Sequence, residues 1–350
     1  MSGRSRLRLG LGVALAVVLL FLFFRGMDFG AVWQALRSAD PLFLAGVAAA
    51  ALVTYLLRSW RWGYLLAPMA RVPFADLFSA TVVGFMSGLL VPRAGEILRP
   101  YLVARRHPAA TTSAGFATII LERVFDLLTV LLLFGTYLFV LPRPAAQTEG
   151  PVMGIVKAAG ASAALGALVL LVLLFAFHAR AEQALALCDR VLLLFPAWLA
   201  RPAGGILRSF SGGLAVLKAP ASHLLAIVAQ SFLVWLSIGL SIWCNNRAFG
   251  VGLPFHATFL IIAFLTVGVA IPTPGMVGGF HAFFIVALAD VFGVGRDVAG
   301  AAALACHALT NLPVLVLGLV YLGREGLSLG GVAAMTENKA AGPIPAREVS

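Results

Sequence analysis

Nine apolar runs near 20 residues long divide this chain, at 7–24, 42–57, 74–91, 113–141, 152–177, 222–244, 254–271, 276–292 and 298–322. A hydrocarbon core of about 30 Å takes about 20 consecutive apolar residues to cross as a helix. Runs this long and this dense leave one fold class, an all-α polytopic membrane protein. The composition, 61% hydrophobic and 11% charged with a mean hydropathy of +1.00, excludes a soluble core. A soluble chain of 350 residues would suggest two domains. The membrane constraint instead predicts one transmembrane domain over 1–322 and a polar, flexible tail over 323–350.

The formal charge of +11 comes mostly from arginines beside the apolar runs, where it orients the helices. No basic soluble surface is left for nucleic acid. Cys188, Cys244 and Cys306 have neither metal nor redox spacing. Arg4, Arg6 and Arg8 precede the first run and no small-residue cleavage site follows it. It therefore reads as a retained signal anchor with a cytoplasmic N-terminus.

Two of the runs break on Pro and Gly at matching places. Residues 74–91 lead into Pro92-Arg93-Ala94-Gly95-Glu96, and residues 254–271 lead into Pro272-Thr273-Pro274-Gly275. If every run crossed the membrane, Arg99, Arg105 and Arg106 would lie outside, against the positive-inside rule. Re-entrant hairpins over 74–106 and 254–292 remove the conflict, and Arg324 and the polar stretch 178–220 then fall inside as well. Six full crossings and two hairpins result. Their order repeats in half 1 (about 42–141) and half 2 (about 222–322), with corresponding helices running in opposite directions: an inverted-topology repeat. Pro92 is matched with Pro272, Gly95 with Gly275, and His307 with Glu122. Arg58-Ser59-Trp60-Arg61-Trp62, after helix 42–57, reads as an interfacial anchor, as does the group Trp243, Asn246, Arg247 and Phe249. Residues 26–40 predict a helix lying in the interface.

Polar residues inside the spans carry the functional argument. Run 113–141 holds Glu122, Arg123 and Asp126, with Arg123 and Asp126 spaced i,i+3 to pair. Its aliphatic and Phe residues supply ~5–10 kcal/mol of insertion energy, and three uncompensated charges cost about as much. The charges must be paired, protonated or turned to a wet cavity. Arg93, Glu96 and Arg99 recur every third residue on the neighbouring hairpin and converge on the same place. A structural lock and a transport site both fit this cluster. In half 2 the polar counterparts are His281, His307, Thr310 and Asn311, which serve packing, a headgroup phosphate or a proton relay. There is no Gly-x-Ser-x-Gly, Walker loop, His-Glu-x-x-His or Asp-x-Asp, so neither an enzyme centre, a cofactor nor a metal site is expected.

The runs Gly-Leu-Leu-Val-Pro-Arg-Ala-Gly-Glu-Ile-Leu-Arg (88–99), Leu-Glu-Arg-Val-Phe-Asp (121–126) and Pro-Thr-Pro-Gly-Met-Val-Gly-Gly-Phe-His (272–281) closely resemble the flippase-like membrane family. That family includes the transmembrane region of lysylphosphatidylglycerol synthase, the multiple peptide resistance factor. The resemblance spans roughly 9–322. It implies a multi-pass protein of a bacterial or archaeal cytoplasmic membrane, with both termini inside, that moves a phospholipid or lipid-linked headgroup between leaflets. Glu96, Arg99, Glu122, Arg123 and Asp126 match the family pattern residue by residue; with Arg93, His281, His307 and Asn311, taken from the reading of the spans, they make up the expected substrate-binding set. Pro92, Gly95, Pro272, Pro274 and Gly275 would form the turns. Met276 departs from an expected Gly, and His281 and His307 stand where Glu and Arg are expected. The synthase's soluble aminoacyl-transferase domain does not appear in this sequence, which argues against lysyl transfer by this chain alone. The expected partners are the lipid itself and a lipid-modifying enzyme, with oligomerisation left open. The alternative function is a scaffold for a lipid- or glycan-modifying enzyme, or a membrane-embedded transferase.

Overall fold

The computed structural model describes residues 28–91, 94–140, 211–271 and 273–325, with single residues and short pieces between 154 and 209 and Val18 alone. The first run, most of 152–177 and of the linker 178–220, the tail beyond 325, and Pro92, Arg93 and Pro272 lie outside the described residues. Among those described there is helix and no strand.

A short helix, α1 (Phe29–Ser38), is capped by Asp28, whose carboxylate accepts from Gly30 N at 2.8 Å. Next comes α2 (Pro41–Leu66), started by the Asp40 side chain on Leu42 N and by Pro41 in its first turn, a pairing that satisfies an end donor and presets the helical backbone. The first hairpin is α3 (Phe74–Leu90) and α4 (Ala94–Arg106), followed by α5 (Thr112–Phe139). In the second half, α6 (Ala221–Ala248) and α7 (Ala257–Ala270) lead to a 3-10 turn at Pro274–Met276. There follow α8 (Gly279–Ile285), prolonged by a π-helical turn over Val286–Val291, and α9 (Arg296–Arg324).

Helices α2, α6 and α9 are long and apolar enough to cross a membrane. So is α5 by length, at 28 residues, but it concentrates three charges over Glu122–Asp126. Pro274–Val291 has the length of a crossing too, yet left-handed backbone at Gly275 (φ 64°), Met276 (φ 58°) and Gly278 (φ 90°) breaks it. Helices α3 and α7, of 17 and 14 residues, rise only ~26 and ~21 Å.

Each hairpin closes on a pair of glycines. A Cβ on Gly95 would stand 2.1 Å from the Gly84 carbonyl oxygen, and one on Gly279 would stand 2.3 Å from that of Gly268. Only glycine permits backbones this close. The second pair follows the first by 184 residues at both positions (268 − 84 and 279 − 95). The same interval carries Thr112, the start of α5, to Arg296, the start of α9. This register shifts all three sequence matches: Gly95 corresponds to Gly279 rather than Gly275, Pro92 falls at Met276 rather than Pro272, and His307 corresponds to Arg123 rather than Glu122. Gly275 makes the turn itself, which is why the Pro–Gly motifs suggested the other alignment.

The corresponding helices α2 and α6 pack side by side and antiparallel. Asp40 N donates to Ala248 O at one end, and His223 Nε2 contacts Tyr64 O at the other. The halves then interlock, with α9 against α3 and α5 against α7. One apolar core, built around Phe259–Leu265, Phe284 and Tyr137, belongs mainly to the second half. The other, around Trp62, Leu65, Met86 and Leu121, belongs mainly to the first.

Candidate functional site

The structure gathers the sequence-predicted charges of α4 and α5 around a second pair of arginines on α2. The α2 helix does not stop near residue 57 but continues to Leu66, which carries Arg58 and Arg61 one turn apart into the interior. Arg61 and Trp62 have no exposed surface and Arg58 is 7% exposed. The interfacial-anchor reading of Arg58, Arg61 and Trp62 is thus overturned; only Trp60 of that group is well exposed, at 44%. The helix reaches further because Tyr64-Leu65-Leu66 extends its apolar face past the two arginines, and the exposed arginine comes later, at Arg71.

Asp126 is the best-connected member. Arg61 Nη1 donates to its Oδ1 at 2.7 Å and also to Ser231 Oγ at 2.9 Å; Trp235 Nε1 donates to the same Oδ1 at 3.1 Å. Arg58 Nη1 reaches Oδ2 at 3.4 Å. The expected pairing with Arg123 exists at 3.7 Å, but it is the weakest of these contacts. Glu122, wholly buried, accepts through Oε1 from Arg123 Nη2 at 2.9 Å and Arg99 Nη1 at 3.1 Å, with Arg61 at 3.6 Å and Arg58 at 3.8 Å. The Arg99 guanidinium lies 4.0 Å over the Trp62 ring, which Thr118 holds by accepting from Nε1 at 3.0 Å. Trp62 thus supplies an aromatic face for a cation in a place sealed from water.

Two carboxylates therefore hold four guanidiniums. Several donors stay unmatched: Arg61 Nε and Nη2, and Arg99 Nε and Nη2, are buried without a hydrogen-bond partner, as is the acceptor Glu122 Oε2. Buried polar groups are nearly always paired, so an arginine with two idle donors is unusual.

Arg99 also forms part of the wall of a cavity of about 490 Å³ between the two hairpin tips. The first hairpin contributes Gly84, Phe85, Gly88, Leu89, Gly95 and Glu96. The second contributes Thr266, Val269, Ala270, Ile271, Thr273 and Met276. Helices α2, α5 and α9 add Tyr55, Ile119, Arg123 and Asn311. Most of that wall is apolar, and its charges are Glu96, Arg99 and Arg123. Arg123 is half-exposed, at 47% of its side chain, and Glu96 is exposed.

Of the sequence-predicted site residues, Glu96, Arg99, Arg123 and Asn311 reach this cavity, while Glu122 and Asp126 stand behind it. His281 and His307 do not line it. Their rings lie 4.7 Å apart behind the second tip, where His307 Nε2 contacts Gly275 O at 2.8 Å and Gly278 N donates to His281 Nδ1 at 3.3 Å. Asn311 Nδ2 donates to His307 O. Thr273 Oγ1 donates to Val277 O across the same turn, so this group shapes the loop. Arg93 lies outside the described residues. Among those described, no three His, Cys, Asp or Glu side chains can hold a metal ion.

Apolar crossing helices, glycine-closed helical hairpins and a buried ionic cluster beside an amphipathic cavity define the class: a multi-pass α-helical membrane protein. More narrowly, the chain belongs to the family described as the lysylphosphatidylglycerol synthase TM region, which it matches over residues 9–318. It is also 34% identical over 114 residues to a protein of Haloferax volcanii named glycosyltransferase AglD. That alignment takes in 32% of this chain and 18% of the relative, so the chain spans less than a fifth of the relative's length. No solved structure matches.

Proposed function

We propose that this chain moves a lipid headgroup between leaflets of a bacterial or archaeal cytoplasmic membrane through the cavity between its hairpin tips. The observation that carries the reading is the make-up of that cavity. Its volume lies within the range typical of small-molecule sites, its wall is apolar enough for acyl chain, and its charges fall on one side. Charged side chains at membrane depth mark substrate pathways when they face a cavity, as Arg99 and Arg123 do.

The two hairpins are re-entrant in this reading. Asp76, in the first turn of α3, is bound by Arg106 and by His107 Nε2 at 2.9 Å, at the end of α4. Both ends of the first hairpin thus share one surface, which the positive-inside rule assigns to the cytoplasm through Arg105 and Arg106. The antiparallel α2–α6 pair and the constant 184-residue register support an inverted repeat, the architecture in which sites form at the repeat interface.

A second reading, a membrane scaffold or transferase element for glycan modification, draws on the relative named as a glycosyltransferase. Vesicles reconstituted with the purified chain separate the two. Fluorescent phospholipid placed in the inner leaflet becomes accessible to an impermeant quencher if the chain translocates it. Folded protein that leaves the lipid where it was placed would reject translocation and favour the scaffold.

A further inference from the structure

We infer that the cavity selects a headgroup carrying one net negative charge on a phosphate and discriminates against a net-cationic, aminoacylated one. This rests on the translocation reading above and names the substrate class of that same site.

The charge count points there. Among the described residues, Arg58, Arg61, Arg99 and Arg123 face Glu122 and Asp126, and Glu96 on the cavity wall adds a third carboxylate. Arg123 and Glu96, on the exposed wall, offset each other, while the buried Arg58, Arg61 and Arg99 exceed Glu122 and Asp126 by one positive charge, in a low-dielectric interior where an uncompensated charge is costly. A single phosphodiester brings it to zero. A lysylated phospholipid, whose two ammonium groups outweigh its phosphate by one, raises the excess to two.

The donor geometry agrees. Arg99 is 2% exposed, spends only Nη1 on Glu122, and keeps Nε and Nη2 idle while it lines the cavity. Nε and one terminal nitrogen of a guanidinium form the fork that grips a phosphate through two oxygens. The Trp62 ring, 4.0 Å from the Arg99 Cζ, and Glu122, bound at Nη1, hold the guanidinium in place. Arg123, on the same wall, supplies a second cation from α5. Glu96 lies one turn before Arg99 on α4, exposed and with no ion pair among the described residues, and gives an ammonium its one attractive contact. The selection is therefore graded rather than absolute.

The test uses the full chain in mixed vesicles containing equal amounts of phosphatidylglycerol and lysylphosphatidylglycerol, followed by detergent extraction and native mass spectrometry of retained lipid. Phosphatidylglycerol is expected at about tenfold excess or more, the worth of one or two charge-assisted hydrogen bonds. Arg99→Gln should lose that excess, and Glu96→Gln should widen it. Arg123→Gln, at a half-exposed position, is the second variant should Arg99→Gln fail to fold, and it should cut the excess severalfold. Equal retention of the two lipids, preference for the lysylated one, or full selectivity in the folded arginine variants would overturn the proposal. Inorganic phosphate that binds with the same arginine dependence while neither lipid is retained would also overturn it, assigning the site to a free anion. Selective retention without any lipid movement in the reconstituted vesicles would defeat translocation and leave the phosphate site standing.

Discussion

The two halves share helix order, hairpin closure and register, yet they fill the same positions with opposite chemistry. At the interval of 184 residues, Arg99 corresponds to Phe283, Glu122 to Cys306, Arg123 to His307 and Asp126 to Thr310. Each of these four charges corresponds to a neutral residue in the second half. Asn245 is as buried as Arg61, but its amide donates to Ala302 O at 3.0 Å instead of joining an ionic network. The second tip is held by neutral bonds from His307 and Thr273 and contains Met276 in a left-handed conformation that side chains resist. A repeated scaffold can thus divide its labour, with one half holding the charges and the other supplying neutral wall and the bonds of its own turn.

The largest expected effect probes the charged half. Asp126→Asn should destabilise the protein by about 3–5 kcal/mol, because it strands Arg61 and Arg58 in a dry interior. Neutralising Arg61 to Gln in the same chain should recover part of that loss, giving a coupling term in a thermal-melt cycle in detergent. The matching change in the second half, Thr310→Val, removes a hydroxyl whose hydrogen bonds, to Cys306 O and His307 O, stay within its own helix, and should cost far less. Additive losses for Asp126 and Arg61 would contradict the contact.

Symmetry predicts an intermediate effect. Gly95→Ala and Gly279→Ala each force a methyl against a carbonyl oxygen across a hairpin, an overpacking that costs about 1–3 kcal/mol or more. Gly135→Ala, with nothing within 4 Å of the added carbon, is the neutral control. Melting temperatures that fall for one hairpin glycine and hold for the other would break the structural equivalence of the halves. The smallest effect concerns the second tip. His307→Leu removes one bond to the Gly275 carbonyl and should cost about 0.5–1.5 kcal/mol, seen as faster hydrogen exchange around residues 273–278.

The helices were legible in the sequence because lipid demands long apolar runs, and so was the need for Glu122, Arg123 and Asp126 to be compensated, because unpaired charges in such a run are too costly; the expected Arg123–Asp126 pair, at 3.7 Å, is the lesser part of that compensation. Arg58 and Arg61 were not legible. Beside Trp60 and Trp62 they have the composition of an interfacial belt, and only a longer helix turns them inward. The available signal was Tyr64-Leu65-Leu66, which continues the apolar face beyond them, with an exposed Arg71 after Pro68. The hairpin register was off by a few residues at Gly275, since turn glycines and close-approach glycines look alike in sequence; spacing across both halves tells them apart. His281 and His307 were read as packing or site residues from their polarity and their places near the second break, and the bonds they make in the turn depend on backbone positions that sequence does not encode.

The most direct test of the division between the halves is the rate at which fluorescent phosphatidylglycerol crosses vesicles carrying Arg123→Gln or His307→Gln. Both positions lie at the same register, one on the cavity wall and one behind it. Arg123→Gln should slow transfer about tenfold, the loss of one charge-assisted contact, while folded yield stays near wild type because Arg123 is half-exposed. His307→Gln should keep most of the wild-type rate. Equal rates for Arg123→Gln and wild type, or a greater loss in His307→Gln, would contradict a headgroup site built by the charged half.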